Sequence, residues 1–363
     1  MKRISDWNDV NNIIIENRHG IGDVLHMTWM IIYLRQLFLN ARIDMIIPKE
    51  AYRQIFNSDG LIDRFYYWDE FDRGKNISKL LSLRKNHYDL GFAAINSTKY
   101  LAVTLLKILG CKKIIIEISS NSFLKHLHGV YAVWGDVWSN RILRNVNLLS
   151  PIHTVKYNFE DFANWEIPRI NRNSVKGLLP DEGRKVALFI GTNPNTIKKR
   201  GKKYYIDIKK WGYDNFINLA KKISDEGIIP IILGGRKEYE ESRKIIDEKS
   251  LGYEDKIINL CGKTTIDQMK GIFLQSDIVV ACDTGPMHIA ASLGKKVIAI
   301  FGPTNPEKYV IPDSDVIVVS KGMNCQYCHD TEKGFQCENI KCLRDISVNE
   351  VFDIIMKEIG GRK

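Results

Sequence analysis

At 363 residues the chain is too long for one typical hydrophobic core and comfortable for two. Its 44% hydrophobic and 26% charged residues exclude a disordered polymer. The formal net charge of +10 points to a polyanion, an anionic small substrate or an anionic membrane surface, with plainly solvated lysine as the alternative.

In chain order, the N-terminal "MKRISDWNDVNN" lacks the apolar run of a signal peptide, and "MTWMIIYL" (27–34) is too short to span a bilayer. The expectation is a cytoplasmic protein whose membrane contact, if it has one, is peripheral. Short β-branched runs then read as strands at 12–17, 42–48, 63–68, 88–95 and 112–118, with helices at 23–38 and 97–110 between them. Residues 119–183, rich in Trp, Asn and Pro, carry only patchy periodicity and read as irregular, with a boundary near 175–184. The pattern restarts at 185–190, 228–233, 277–281, 296–302 and 315–320, with helices expected at 208–224 and over "SVNEVFDIIMKEI" (347–359). This alternation predicts α/β architecture with two Rossmann-like, doubly wound parallel sheets facing across a cleft and ligand at the carboxyl ends of their strands. The expected domains are 1–178 and 179–363.

Four stretches carry candidate chemistry. In "IIIENRHGIGDVLHMTW" a strand, a flexible "HGIG" and Asp23 precede a helix; Asp23 reads either as its N-cap or as a general base at the mouth of a cleft. Lys209 and Lys210 stand just ahead of an expected helix and by themselves read as solvated lysines. "IILGGRKE" sets Gly234 and Gly235 between a strand and Glu238, a geometry in which a carboxylate accepts from ribose hydroxyls. In "DIVVACDTGPMHIAA" the turn Asp283-Thr284-Gly285 joins a strand to a helix starting near Pro286, with His288 in the first turn. Capping accounts for Thr284 and Pro286, whereas the glycine and the histidine suit an anion held on free helix N–H groups.

Taken together and in this order, these stretches resemble the ADP-heptose-dependent heptosyltransferases, family 9 of the glycosyltransferases. The matching pieces are "GIGDVLH" (20–26), "KKW" (209–211), "LGGRKE" (233–238) and "DTGPMHIAASLGKKVIAIFGPTNPEKY" (283–309), the last being long and specific. Trp29 stands where the family pattern has a proline. The resemblance implies a GT-B fold, an acceptor-binding first domain and a nucleotide-sugar-binding second domain that carries the cysteine cluster and terminal helix. It implies inversion at the anomeric centre without a catalytic metal. By position it makes Asp23 the base, puts Gly22 and His26 on the acceptor side, and directs Lys209 to the departing diphosphate. Thr284 and Gly285 would offer backbone N–H groups to those phosphates, with His288 and Gly234 beside the donor, Asp283 orienting the sugar and Glu238 the ribose. The implied donor is ADP-heptose and the implied acceptor a glycolipid or glycan such as lipopolysaccharide core, with a protein acceptor as the alternative and nucleic acid not expected. A nucleotide-sugar 2-epimerase, also built from two Rossmann-like halves, is the reading from another class.

Of seven cysteines, Cys325, Cys328, Cys337 and Cys342 form C-x2-C-x8-C-x4-C. Four thiolates with a leading CxxC can close a tetrahedral structural site for zinc or iron, or they can pack a loop without metal. Members of the resembling family that heptosylate autotransporter proteins carry a comparable, iron-binding cluster. Cys111, Cys261 and Cys282 sit beside apolar runs and read as small core residues.

Overall fold

The computed structural model describes residues 7, 9–56, 60–70, 77–120, 122–137, 139–153, 175–192, 195–199, 202–240, 243, 252–253, 256–329, 337 and 339–361. The isoleucine-rich runs become parallel strands because side chains on both faces are covered, which removes any need for polar alternation. Ile13, Ile14 and Ile15, consecutive in the first strand, are all fully buried.

One sheet contains β1 (Asn12–Glu16), β2 (Arg42–Ile47), β3 (Arg64–Tyr67), β4 (Leu90–Ala93), β5 (Lys113–Ile118) and β6 (Val130–Trp134). Its order is β3-β2-β1-β4-β5-β6, with every pairing parallel. The second contains β7 (Lys185–Phe189), β10 (Ile229–Leu233), β11 (Ile258–Asn259), β12 (Ile278–Cys282), β13 (Lys296–Ile300) and β14 (Val316–Val319), in the order β11-β10-β7-β12-β13-β14 and again parallel. The hairpin of β8 (Asn195–Lys199) and β9 (Lys202–Ile206) lies outside both sheets. The chain segregates into two compact units, one around each sheet. Residues 154–174, just ahead of the expected boundary, lie outside the described residues.

In each sheet the chain winds outward in one direction from a central strand and then restarts on that strand's other side. The order therefore reverses between β1 and β4 and between β7 and β12. Loops leaving the carboxyl ends of such strand pairs diverge, which opens a crevice for a ligand. Most of the candidate residues stand on loops that leave the strands at or beside these two reversals.

Several expectations are corrected. The helix expected at 23–38 is two helices, Ile21–His26 and Thr28–Leu37, separated at Met27. It begins before Asp23, with Gly20 at the N-cap and no side-chain cap, so Asp23 lies inside the first turn and is not the cap. The stretch read as irregular contains β6 and a helix, Arg141–Asn147, capped by Asn140 whose side-chain oxygen accepts from Ile142 N. β6 escapes sequence reading because Val130, Tyr131, Ala132, Val133 and Trp134 form an edge strand with no clean alternation. The helix expected at 208–224 runs from Tyr213 to Asp225, since Gly212 at φ 111° fixes its start. Lys209 and Lys210 thus precede it on a loop. The terminal helix is Val348–Gly360, capped by Ser347, whose side chain accepts from Glu350 N. Trp211 anchors the chain just before it by donating from Nε1 to Ile346 O at 2.9 Å. Among the described residues no helix is long and apolar enough to cross a membrane.

Candidate active site

In the second unit, β12 ends at Cys282 and the helix Gly285–Ser292 begins three residues later with Pro286 in its first turn. Thr284 occupies the N-cap in extended conformation, yet its side chain makes no capping bond; Oγ1 instead donates back to Cys282 O at 3.2 Å. The first N–H groups of this helix are therefore not satisfied by the cap residue, and the helix dipole adds to their attraction for an anion. Gly285 keeps the approach to them clear of side chain.

Asp283 is buried at 4% exposure and lies between two basic side chains. Lys209 Nζ is 2.7 Å from its Oδ2, and His288 Nε2 is 3.6 Å from its Oδ1. Burial alone would push the Asp283 carboxyl up, but Lys209 and then His288 outweigh it and hold the group well below the ordinary carboxylate range. Lys209 also stands over the Tyr309 ring, 5.4 Å from its centroid. Lys210 is turned away toward its own helix, 3.3 Å from the Tyr213 ring centroid. Adjacent lysines thus have opposite roles, one in a buried ion pair and the other on an aromatic face.

The Gly-Gly turn after β10 is closed by Glu238, whose Oε2 accepts from Gly235 N at 2.8 Å. A Cβ on Gly234 would approach Glu238 Cβ to 2.9 Å and Cys261 Sγ to 3.1 Å, so the turn is tight enough to require glycine. Glu238 is 8% exposed. Across the strand reversal, the loop after β7 brings Thr192 onto Asp207, which accepts from its hydroxyl.

In the first unit the two loops at the β1/β4 reversal meet at Asp23. Its Oδ1 accepts from Asn96 Nδ2, on the loop after β4, and from Arg141 Nη1 at 2.6 Å, at the start of the helix Arg141–Asn147. Asn17 Nδ2 donates to the Asp23 carbonyl at 3.1 Å, tying the strand end to the helix. A second layer lies beneath: Glu16, fully buried, accepts from Arg18 and from Ser97 Oγ, the latter at 2.7 Å. His19 Nε2 is 3.2 Å from the same hydroxyl. Burial lowers the His19 pKa, against the opposing pull of Asp23 and Glu16. Gly22 is half-buried in the turn, whereas His26 is buried at 2% exposure. The His26 ring is enclosed at the end of the helix Ile21–His26. Sequence reasoning misses Asn96 and Arg141; Asn96 follows the β4 run and could be sought there, but nothing local marks Arg141.

Cys325 is exposed, Cys328 and Cys337 are half-buried and Cys342 is buried. Burial pushes the Cys342 thiol up to about 11, and the nearby Cys328, Cys337 and Cys325 push it in the same direction. Cys328 is raised likewise, by burial first and then by Cys337 and Cys325. The four thiols therefore lie within electrostatic reach of one another. Among the described residues no group of three or more His, Cys, Asp or Glu gathers closely enough to hold a metal ion. Residues 330–336 and 338, inside this segment, lie outside the described residues.

Comparison with known proteins agrees with this geometry. The model of glycosyltransferase family 9 (heptosyltransferase) matches residues 80–338. Lipopolysaccharide heptosyltransferase 2 of Escherichia coli (strain K12) is 30% identical over 99 residues, 27% of this chain and 28% of that protein. The match thus spans little more than a quarter of that relative's length. Lipopolysaccharide heptosyltransferase 3 of the same organism is 25% identical over 299 residues, covering 78% of this chain and 80% of the relative. Among solved structures, a family 9 glycosyl transferase from Veillonella parvula DSM 2008 superposes with a TM-score of 0.74 at 18% identity, covering 97% of this chain and 98% of the other. The E. coli ADP-heptose lps heptosyltransferase II gives 0.71 at 17% identity, covering 97% and 99%. These structures share the two-sheet fold, the GT-B architecture expected from the sequence. With a family model matching most of its length, the chain belongs to glycosyltransferase family 9, the heptosyltransferase family.

Proposed function

We propose that the protein is an inverting glycosyltransferase that moves a heptose from ADP-heptose to a hydroxyl of a lipid-borne surface glycan such as lipopolysaccharide core. The observation that carries this reading is the turn Asp283-Thr284-Gly285 at the β7/β12 reversal, where uncapped helix N–H groups stand beside Lys209 and His288. A diphosphate leaving group is the ligand such a turn suits best. The E. coli protein of similar fold is an ADP-heptose lps heptosyltransferase, which supports the nucleotide assignment.

In the reaction the acceptor oxygen attacks the anomeric carbon, its proton passes to Asp23, and the bond from that carbon to the diphosphate oxygen breaks. Asp23 suits the base because Asn96 and Arg141 both act on Oδ1, which fixes the carboxylate and leaves Oδ2 to take the proton. Lys209, the N–H groups of Thr284 and Gly285, and His288 stabilise the charge that develops on ADP. Asp283 holds Lys209 and His288 in place and reaches the sugar through that scaffold, while Gly234 and Glu238 form the edge on which the ribose hydroxyls rest. Gly22, in the turn before Asp23, allows the acceptor close to the base. No metal is needed for these steps.

The cysteine cluster is read as a structural site. Cys325, Cys328, Cys337 and Cys342 supply by residue type and C-x2-C-x8-C-x4-C spacing the donor set of a tetrahedral zinc or iron site that would fasten the segment ahead of the terminal helix, although among the described residues they are not gathered closely enough to hold an ion. A peripheral enzyme on the cytoplasmic face of the inner membrane is the location consistent with a lipid-borne acceptor. The domains read as 1–178 for acceptor and 179–363 for donor. The deciding experiment incubates the purified protein with a panel of nucleotide sugars, with and without a heptose-deficient lipopolysaccharide acceptor. Transfer from ADP-heptose alone supports the proposal; acceptor-free conversion of a nucleotide sugar to its 2-epimer would replace it with the epimerase reading.

A further inference from the structure

One face of the first sheet is covered by three segments: the helix Ile77–Ser82 with the turn that follows it, the helix Lys99–Ile108, and the short turn Phe123–His126. Their inward side chains share one core, in which Leu83, Leu105, Leu106 and Leu124 are buried together. Their outward side chains are unusual. On the helix Lys99–Ile108, Tyr100 and Leu101 are 58% and 60% exposed, and Ile108, two turns further along the same face, is 39% exposed. On the other two segments over the same core, Phe123 is 67% exposed and Leu81 43%. An amphipathic helix of a globular protein normally presents polar residues there, so this outer face is apolar where water would select against it.

The charges of the same layer are of one sign. Residues 77–87, 97–110 and 122–130 contain no Asp and no Glu, but they contain Lys79, Arg84, Lys85, Lys107, Lys125 and three histidines, besides Lys99, which turns inward to Ile95 O and Glu117. Lys107 donates to His128 O at 2.7 Å, which links the helix to the turn and makes the two segments one surface. Exposed aromatic and aliphatic side chains on segments whose charged residues are all basic match the boundary of an anionic bilayer, where apolar groups enter the acyl region and lysines meet headgroup phosphates. A nucleic acid would satisfy the cations but has no place for Leu101 and Ile108. A second copy of the chain would bring like charges together.

We propose that this acid-free face, centred on Tyr100, Leu101, Ile108 and Phe123, is a docking surface for an anionic lipid bilayer. The inference deepens the reading of a lipid-borne acceptor and rests on it for its purpose, but it can be measured without any substrate. The test is flotation of the full-length protein with vesicles of phosphatidylcholine alone and with vesicles containing about 30% phosphatidylglycerol, at low and high salt. The expected result is binding to the anionic vesicles only, weakened by salt, and reduced at least about tenfold in Leu101→Glu/Ile108→Glu and in Lys85→Glu/Lys125→Glu. All four positions are exposed, so the melting temperature and ADP binding should match the wild type; unchanged ADP binding separates failure of this surface from failure of the donor assignment. Equal binding to neutral vesicles, no binding to either, or full binding by both variants would overturn the proposal. So would self-association abolished by these substitutions, which would make the face an interface between copies, or preferential binding of single-stranded DNA.

Discussion

Lys209 and Asp283, 74 residues apart in sequence, meet in a 2.7 Å ion pair at the point where the second sheet reverses its strand order. The pair serves two purposes. It keeps a buried carboxylate ionised, and it holds an ammonium group at the foot of an uncapped helix. Removing one partner leaves the other's charge buried without it, whereas the neighbouring Lys210 lies on the Tyr213 ring, away from the pair.

Lys209→Ala should weaken ADP binding far more than adenosine binding, because the group lost is the one proposed to meet phosphate and not base. The same substitution should cost about 3 kcal/mol of stability by leaving Asp283 buried without its strongest partner. Lys210→Ala should change both by little. Calorimetric titration with ADP and adenosine, together with urea unfolding, checks all three expectations. An equal loss for the two ligands would remove Lys209 from the phosphate site.

The same carboxylate predicts acid sensitivity. Its pKa in the folded protein lies well below the unfolded value of 3.8, so its contribution to stability is fully present above that value and is lost as pH falls below it toward the folded pKa. Wild type should lose stability between about pH 4 and pH 2 more steeply than Asp283→Asn, in which this group cannot titrate. Unfolding free energies across that range for the two proteins test the sign, and parallel curves would contradict it.

Asp23→Asn should retain fold and ADP affinity while turnover falls by about two orders of magnitude or more. The amide still accepts through its oxygen from Asn96 and Arg141, so the local structure persists while the proton acceptor is gone. Near-normal turnover would exclude Asp23 as the base.

Protein purified under reducing conditions without chelator should carry close to one equivalent of zinc or iron. Cys325→Ser/Cys328→Ser should lower melting temperature and soluble yield while the folded fraction keeps its ADP affinity. Metal analysis of the wild type and the variant decides the matter; absence of metal from the wild type would leave the four cysteines as loop packing.

Gly135 offers a test of the first unit's frame. A Cβ there would fall on the buried Glu117 carboxylate, which is gripped by Arg144 from Nε at 2.9 Å and Nη2 at 2.6 Å. Gly135→Ala should therefore cost about 1–3 kcal/mol, measured by denaturant unfolding.

What the sequence by itself determined is whatever rests on neighbours along the chain. Short aliphatic and aromatic runs specify ten of the sheet strands, since most of these strands are covered on both faces and need only unbroken apolar residues. Asp283-Thr284-Gly285-Pro286 likewise marks a strand-to-helix turn through local backbone preferences. Edge elements with mixed composition, β6 and the β8–β9 hairpin, were hidden because their pairing is decided by contacts with other strands. Tertiary structure alone decided what each polar group meets. Asp23 could be read as a cap until Asn96 and Arg141, 73 and 118 residues away, were found converging on one of its oxygens. Of two adjacent lysines, Tyr213 takes one and Asp283 the other, an assignment that no local signal makes. The physical reason is the same throughout: a backbone preference acts over a few residues, whereas burial and charge pairing depend on which loops the sheet order brings together.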